Sequence, residues 1–164
     1  MNDLQRRKRN RLADELYRVP GAYFITICTR NRENLFWTDS KPASLQSIPL
    51  TDLGKRAEEQ LRQTILGYEP ILRAEKYVIM PNHVHILLLM QYDSGNACPD
   101  VRYVIRLFKR KVSQIAGASI WQKGFYDHIL RNEDDYRMIW KYIDENPIKW
   151  NLDTYYPSPE TEIP

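Results

Sequence analysis

The spacing of apolar and polar positions changes along this chain, and each change marks an element. Ala22-Tyr23-Phe24-Ile25-Thr26-Ile27-Cys28-Thr29 is rich in β-branched and aromatic residues, which predicts a strand. Residues 30–50 hold polar side chains, two prolines and no clear period, which predicts an irregular excursion. Leu53, Ala57, Leu61 and Ile65 then recur every four residues, predicting a helix from Asp52 to Leu66 with Thr51 as its cap and Gly67 as its stop. Ile71 to Met80 and His83 to Met90 read as two strands, with a turn, bulge or boundary at Pro81-Asn82 because proline breaks a ladder. Val101, Val104, Ile105, Phe108, Val112 and Ile115 follow helical spacing between an Asp100 cap and Gly117. Phe125 to Arg131 is a candidate strand. Asn132 caps a last helix whose first turn, Glu133-Asp134-Asp135, suits the positive end of its dipole. Pro147 predicts where that helix ends, since the residue before a proline avoids helical geometry. Residues 151–164 hold three prolines and no core pattern.

The order is strand, helix, strand, strand, helix, strand, with one helix added. That predicts an α+β fold of the ferredoxin-like split β-α-β kind: an antiparallel sheet with helices on one face, plus a C-terminal helix. At 164 residues the expectation is a single domain over 1–164, with a basic lead-in over about 1–20 and a tail over 151–164.

Composition narrows the class. An apolar fraction of 43% and a charged fraction of 27% are those of an ordinary globule. No apolar run is long enough to span a membrane, and the basic start is not followed by a hydrophobic segment. Cys28 and Cys98 lack disulfide or zinc spacing, so a reducing cytoplasm is expected. The net charge is only +3, but it is clustered. Residues 1–11 carry five basic side chains against one acid, and Arg102, Arg106, Lys109, Arg110 and Lys111 lie in an acid-free stretch. Such stripes suit phosphate backbones, or are simply a solvated helix face and a tail.

Chemistry concentrates in two places. His83 and His85, two of only three histidines, lie one residue apart in an apolar strand and so share a face. Buried imidazoles need partners. A divalent metal is one answer and a hydrogen-bonded pair is another. In the last helix, Tyr136, Ile139, Trp140 and Ile143 form an apolar stripe, and Tyr142 and Asn146 lie beside it, four residues apart on one face. A tyrosine there is either a nucleophile beside a metal ligand or an edge-of-core residue. His128 shares a strand face with Tyr126 and Leu130, with no role assigned.

Taken together, these stretches resemble the HUH superfamily of single-tyrosine transposases, and within it the REP-associated tyrosine transposases. The residues that carry the resemblance are Val78-Ile79-Met80-Pro81-Asn82-His83-Val84-His85, then Trp121-Gln122 with Phe125-Tyr126-Asp127-His128-Ile129-Leu130-Arg131-Asn132. They continue through Asp135-Tyr136-Arg137, Tyr142-Ile143 and Asn146-Pro147. The resemblance spans roughly residues 20–150 and implies cleavage and rejoining of single-stranded DNA. It implies that His83, His85 and Asn146 hold Mg2+ or Mn2+, and that Tyr142 attacks phosphorus to give a 5′-phosphotyrosine intermediate. An asparagine stands where other branches use glutamine or another group. The family's substrates imply palindromic hairpins as the DNA partner, with a monomer or homodimer as the assembly. Free tyrosine titrates near ~10, so something must take its proton, and the sequence names no base. Tyr136 and Tyr126 are the rival nucleophiles; only Tyr142 is followed by an asparagine one turn later. DNA contacts are expected from Arg6, Arg7, Lys8 and Arg9, from Arg102, Arg106, Lys109 and Arg110, and from aromatics such as Tyr103 and Trp121. Two other readings are a non-catalytic RNA- or DNA-binding module and a metal-dependent hydrolase without a tyrosine intermediate.

Overall fold

The computed structural model describes residues 13–38, 42 and 47–155. The expected contacts from Arg6, Arg7, Lys8 and Arg9 lie outside these residues. The elements are Gly21–Cys28 (β1), Asp52–Leu66 (α1), Leu72–Ile79 (β2), His83–Met90 (β3), Val101–Ala116 (α2), Tyr126–Leu130 (β4) and Glu133–Glu145 (α3), with three short 3-10 turns between or around them. The sheet order is β2-β3-β1-β4 and every pairing is antiparallel. The expected α+β sheet is therefore present, with β3 and β1 at its centre.

The register divides the sheet into two unlike faces. Tyr23, Ile25 and Ile27 of β1 stand opposite Leu88, Ile86 and Val84 of β3, and all six are fully buried. Tyr77, opposite Ile86, hydrogen-bonds Glu58 of α1, which places α1 on this side. Ala57, Leu61 and Ile65 of α1 join Val104, Ile105, Phe108 and Val112 of α2 in the same core. Each of the Val, Leu, Ile and Phe side chains among them contributes about 1.5–3 kcal/mol by leaving water. The other face carries Thr26, Cys28, His83 and His85. Here α3 lies over the sheet: Lys76, opposite Leu87, pairs with Asp144 at 2.6 Å and sits 4.2 Å from the Trp140 ring centroid. No helix among the described residues is long and apolar enough to cross a membrane.

Three local expectations are revised. The stripe expected on α3 is shallow: only Ile143 of that helix is buried, and Trp140 is 36% exposed. The sheet face beneath α3 mixes Val78, Leu87 and Phe24 with Lys76, Thr26 and the histidines, so only part of it takes up apolar surface. The helix ends at Glu145, but not for the expected reason. Asn146 keeps helical dihedrals (φ −56, ψ −45) before Pro147, and the Lys149 amide still reaches the Glu145 carbonyl at 3.0 Å. The continued turning drops Trp150 into the core, where it is buried. The stretch over 30–50 also carries anchors, since Phe36 and Trp37 are buried and the Trp37 indole donates to the Ile79 carbonyl at 2.7 Å.

The helix caps follow the sequence. The Thr51 hydroxyl accepts from the Gly54 amide at 3.0 Å, and the Phe36 carbonyl accepts from the Thr51 amide at 2.8 Å. These bonds press the first turn of α1 against the excursion. A Cβ at Gly54 would lie 2.3 Å from the Phe36 oxygen. Gly54→Ala is therefore expected to cost about 2–3 kcal/mol, as overpacking against backbone does. Urea unfolding would show it as a lower midpoint at constant slope; an unchanged midpoint would refute the close approach.

Candidate metal centre and nucleophile

The two histidines sit on an inner strand at 0% and 1% exposure. Asn82, just before β3, donates its side-chain amide to the carbonyls of Arg32 (3.2 Å) and Tyr155 (2.8 Å). Its Oδ1 is thus turned to His83 Nδ1 at 2.8 Å, which places a proton there and leaves a lone pair on Nε2. His85 Nδ1 lies 2.8 Å from the hydroxyl of Thr26, its partner across the sheet. The two Nε2 atoms are 2.9 Å apart. One tautomer of His85 donates Nε2–H to His83 and accepts from Thr26. The other, with Thr26 accepting from Nδ1–H, presents both Nε2 lone pairs to a cation.

Burial holds both rings neutral. It pushes His83 well below the ordinary imidazole range, helped by His85 and by the positive charge of Arg32, and it pushes His85 down to about 3. Unfolded imidazoles titrate near ~6.5 and take up protons that the folded ones refuse. Stability is therefore expected to fall as the pH drops from about 6.5 toward 3. Urea midpoints measured across that window would show the loss, and a double His83→Gln, His85→Gln protein should flatten it.

Tyr142 reaches the same place from α3. Its hydroxyl lies 3.4 Å from His85 Nε2, with ring centroids 5.2 Å apart. Phe24 stacks on His85 at 5.2 Å and meets Tyr142 edge-on at 6.0 Å, so three rings fix one another. Tyr142 is 39% exposed while the histidines are not, which lets a polymer approach the hydroxyl from solvent. The rivals stand elsewhere. The Tyr136 hydroxyl points to Glu75 at 3.5 Å. Tyr126 is opposite Thr26, which is opposite His85, so it lies two strands from His85, about 10 Å at ordinary strand spacing. His128 is exposed on the same face, opposite Phe24.

The segment after α3 supplies what the sequence reading did not contain. Tyr155 lies on His83 with ring centroids 4.6 Å apart, and Trp150 is 5.9 Å from the same ring. Between them, Asp153 Oδ2 comes within 3.9 Å of His83 Nε2, and its side chain is 2% exposed. Ligand atoms of His83, His85 and Asp153 all lie within 4.8 Å of one another. Asn146 is 4% exposed and hydrogen-bonds the Asp153 carboxylate. Burial raises the Asp153 pKa, against hydrogen bonds from the Tyr155 amide and Asn146. Asn146 Oδ1 and Asp153 Oδ2 are buried with no hydrogen-bond partner among the described residues. The orphan Asp153 oxygen beside two neutral imidazoles, with the orphan Asn146 oxygen on a residue bonded to Asp153, is a donor set that fits a small divalent cation. The aromatics flanking Asp153 were the one signal of docking in an otherwise patternless tail.

The expected DNA-contacting cations are divided among different environments. Arg102 is held by Asp100 at 2.7 Å and Asp14 at 2.5 Å and lies over the Tyr17 ring. Lys109 donates to the carbonyls of Gln122 (2.7 Å) and Gly124 (2.6 Å). Arg106 and Arg110 are exposed, as is Tyr103, whereas Trp121 is buried.

No family model matches the chain. An uncharacterized protein of Haemophilus influenzae is 32% identical over 175 residues, covering 93% of this chain and 94% of that one. A protein of Escherichia coli named REP-associated tyrosine transposase is 24% identical over 132 residues, covering 79% of this chain and 67% of its own length. Among solved structures, a REP-associated tyrosine transposase bound to a REP hairpin superposes with a TM-score of 0.58 at 26% identity, covering 84% of this chain and 73% of that one. With the paired histidines on an inner strand and a helical tyrosine brought against them, the chain is similar in sequence and in fold to REP-associated tyrosine transposases.

Proposed function

We propose that this chain cleaves and rejoins single-stranded DNA at hairpin-bearing sites through a covalent bond to Tyr142. The observation that carries the reading is the approach of the Tyr142 hydroxyl to His85, at 3.4 Å, beside a buried set of metal-ligating atoms. The hairpin substrate is argued from the relative whose structure contains a REP hairpin.

His83, His85 and Asn146 would hold Mg2+ or Mn2+, and Asp153 adds a carboxylate to that set. A bound ion of this kind supplies Lewis-acid stabilisation of charge developing on the scissile phosphate. The remaining chemistry belongs to the chain. The Tyr142 oxygen forms a bond to phosphorus, the P–O3′ bond breaks, the phenol proton is lost and the departing 3′ oxygen gains one. The products are a 5′-phosphotyrosine and a free 3′-hydroxyl. Because one phosphodiester replaces another, a second 3′-hydroxyl can reverse the step without a nucleotide cofactor. Asn82 and Thr26 keep the imidazoles oriented, and the Phe24 ring keeps the tyrosine against them.

The test is incubation with labelled hairpin-bearing single-stranded DNA and Mn2+, followed by a denaturing protein gel. A shifted band that disappears with chelator is expected. Cut DNA without a protein adduct would replace the tyrosine step by metal hydrolysis. No cutting across a broad hairpin pool would overturn the assignment.

A further inference from the structure

Beside the metal centre lies an open cleft of about 870 Å³, where the turn after β1, the second half of α2 and the loop over 119–124 meet. Arg30, Arg32, Lys109, Arg110 and Lys123 line it, and no carboxylate does. None of these five cations forms an ion pair among the described residues, although most basic side chains on α3 and Arg102 do. Five unneutralised charges around one concavity repel one another, so the arrangement calls for an anion.

The walls are built rather than loose. Arg30 donates to the Ser119 hydroxyl at 3.0 Å, and its amide donates to the Ile120 carbonyl at 2.7 Å. The Lys109 ammonium is fixed by two loop carbonyls, while the Trp121 indole donates to the Lys109 carbonyl at 3.0 Å. The turn that presents Arg30 and Arg32 is strained: Asn31 and Arg32 adopt φ of 54° and 55°, a region that side chains other than glycine rarely enter. Conformations of this kind persist at sites that use them. Arg32 links the cleft to the candidate metal centre. The Arg32 guanidinium lies 5.6 Å from the Tyr155 ring centroid, Tyr155 lies on His83, and the Arg32 carbonyl holds Asn82.

We propose that this cleft binds consecutive backbone phosphates of the DNA strand adjoining the bond attacked by Tyr142, which rests on the function proposed above. The ligand is a phosphodiester chain rather than a small anion, because the cations are spread around a wide, open concavity instead of converging on one point. Recognition is through the backbone and not by base stacking, since Trp121, the aromatic residue of the lining, is buried. This moves the main electrostatic contact from Arg102, which is already paired, to Arg30, Arg32 and Lys123.

The test is anisotropy of a labelled oligothymidylate titrated with the full chain in chelator, at several salt concentrations. The double change Arg30→Ala, Lys123→Ala should weaken binding roughly tenfold at ~0.1 M salt and make the log–log salt slope shallower by about 1.4, or 0.7 per lost phosphate contact. Arg32→Gly should also weaken binding without lowering the melting temperature, because glycine suits the left-handed turn. That variant separates lost binding from lost folding. Unchanged affinity and slope in both proteins would overturn the cleft. Equal weakening by Lys55→Ala, a remote cation on α1, would overturn it too, by reducing the effect to net charge. A wild-type protein that binds the oligomer but forms no adduct with hairpin DNA would sink the proposed function and leave the cleft standing.

Discussion

Tyr142→Phe is expected to lower formation of the covalent DNA adduct by about 10⁴-fold or more, the scale seen when a nucleophile is deleted from a concerted set. The change removes one oxygen and keeps the ring that packs on His85 and Phe24. Stability should move by no more than about 0.5 kcal/mol, because the residue is partly exposed. The comparison is a denaturing gel of wild type, Tyr142→Phe, Tyr136→Phe and Tyr126→Phe on one hairpin substrate. Tyr136→Phe should keep the adduct, since that hydroxyl faces Glu75. Tyr126 is the informative control. It shares the His85 row of the sheet, two strands away. An adduct that survives Tyr142→Phe and vanishes in Tyr126→Phe would require α3 to move aside for substrate.

The second large effect concerns Mn2+ and stability. An ion bound only by the folded protein raises stability by about 2.7 kcal/mol at a hundred times its dissociation constant. For a chain of this size that is a rise of roughly 5–10 °C in melting temperature. His85→Ala should erase the rise. Asp153→Asn should show opposite signs in the two conditions. With chelator it should be neutral or stabilising, because it removes a buried carboxylate whose Oδ2 has no hydrogen-bond partner among the described residues and whose pKa burial raises. With Mn2+ it should lose much of the shift. A plain structural aspartate would destabilise in both conditions, so calorimetry with and without the ion decides between the two. Asn146→Ala, run beside it, tells whether the amide is a ligand in its own right or a support for Asp153.

The parts of this molecule that were legible from sequence are those with a strong local cause. Thr51 and Gly67 bracket α1 where expected, and Asp100 and Asn132 cap α2 and α3. Each cap answers a nearby unsatisfied amide, so the signal lies within a few residues. The histidine pair was legible because strand alternation alone puts residues 83 and 85 on one face. What was missed is non-local. Asp153 acquires its role from Trp150 and Tyr155 docking on a ring some seventy positions earlier, and no period in the tail encodes that. The cleft depends on a left-handed turn at Asn31-Arg32, where neither residue advertises the conformation as glycine would. The depth of α3 was overread because the amphipathic pattern reports which side faces inward, not whether that side meets Ile86 or His85. The tyrosine in that shallow contact is, for the same reason, exposed enough to be reached.

The order in which the chain is made gives the tail one more consequence. The sheet, both imidazoles and Tyr142 are all encoded before residue 150, yet the carboxylate that stands beside the two imidazoles is not. A chain ending between Pro147 and Asp153 would keep every strand and Tyr142 but lack that carboxylate, so a capacity to cut DNA that depends on the full set would be confined to chains that reach Asp153.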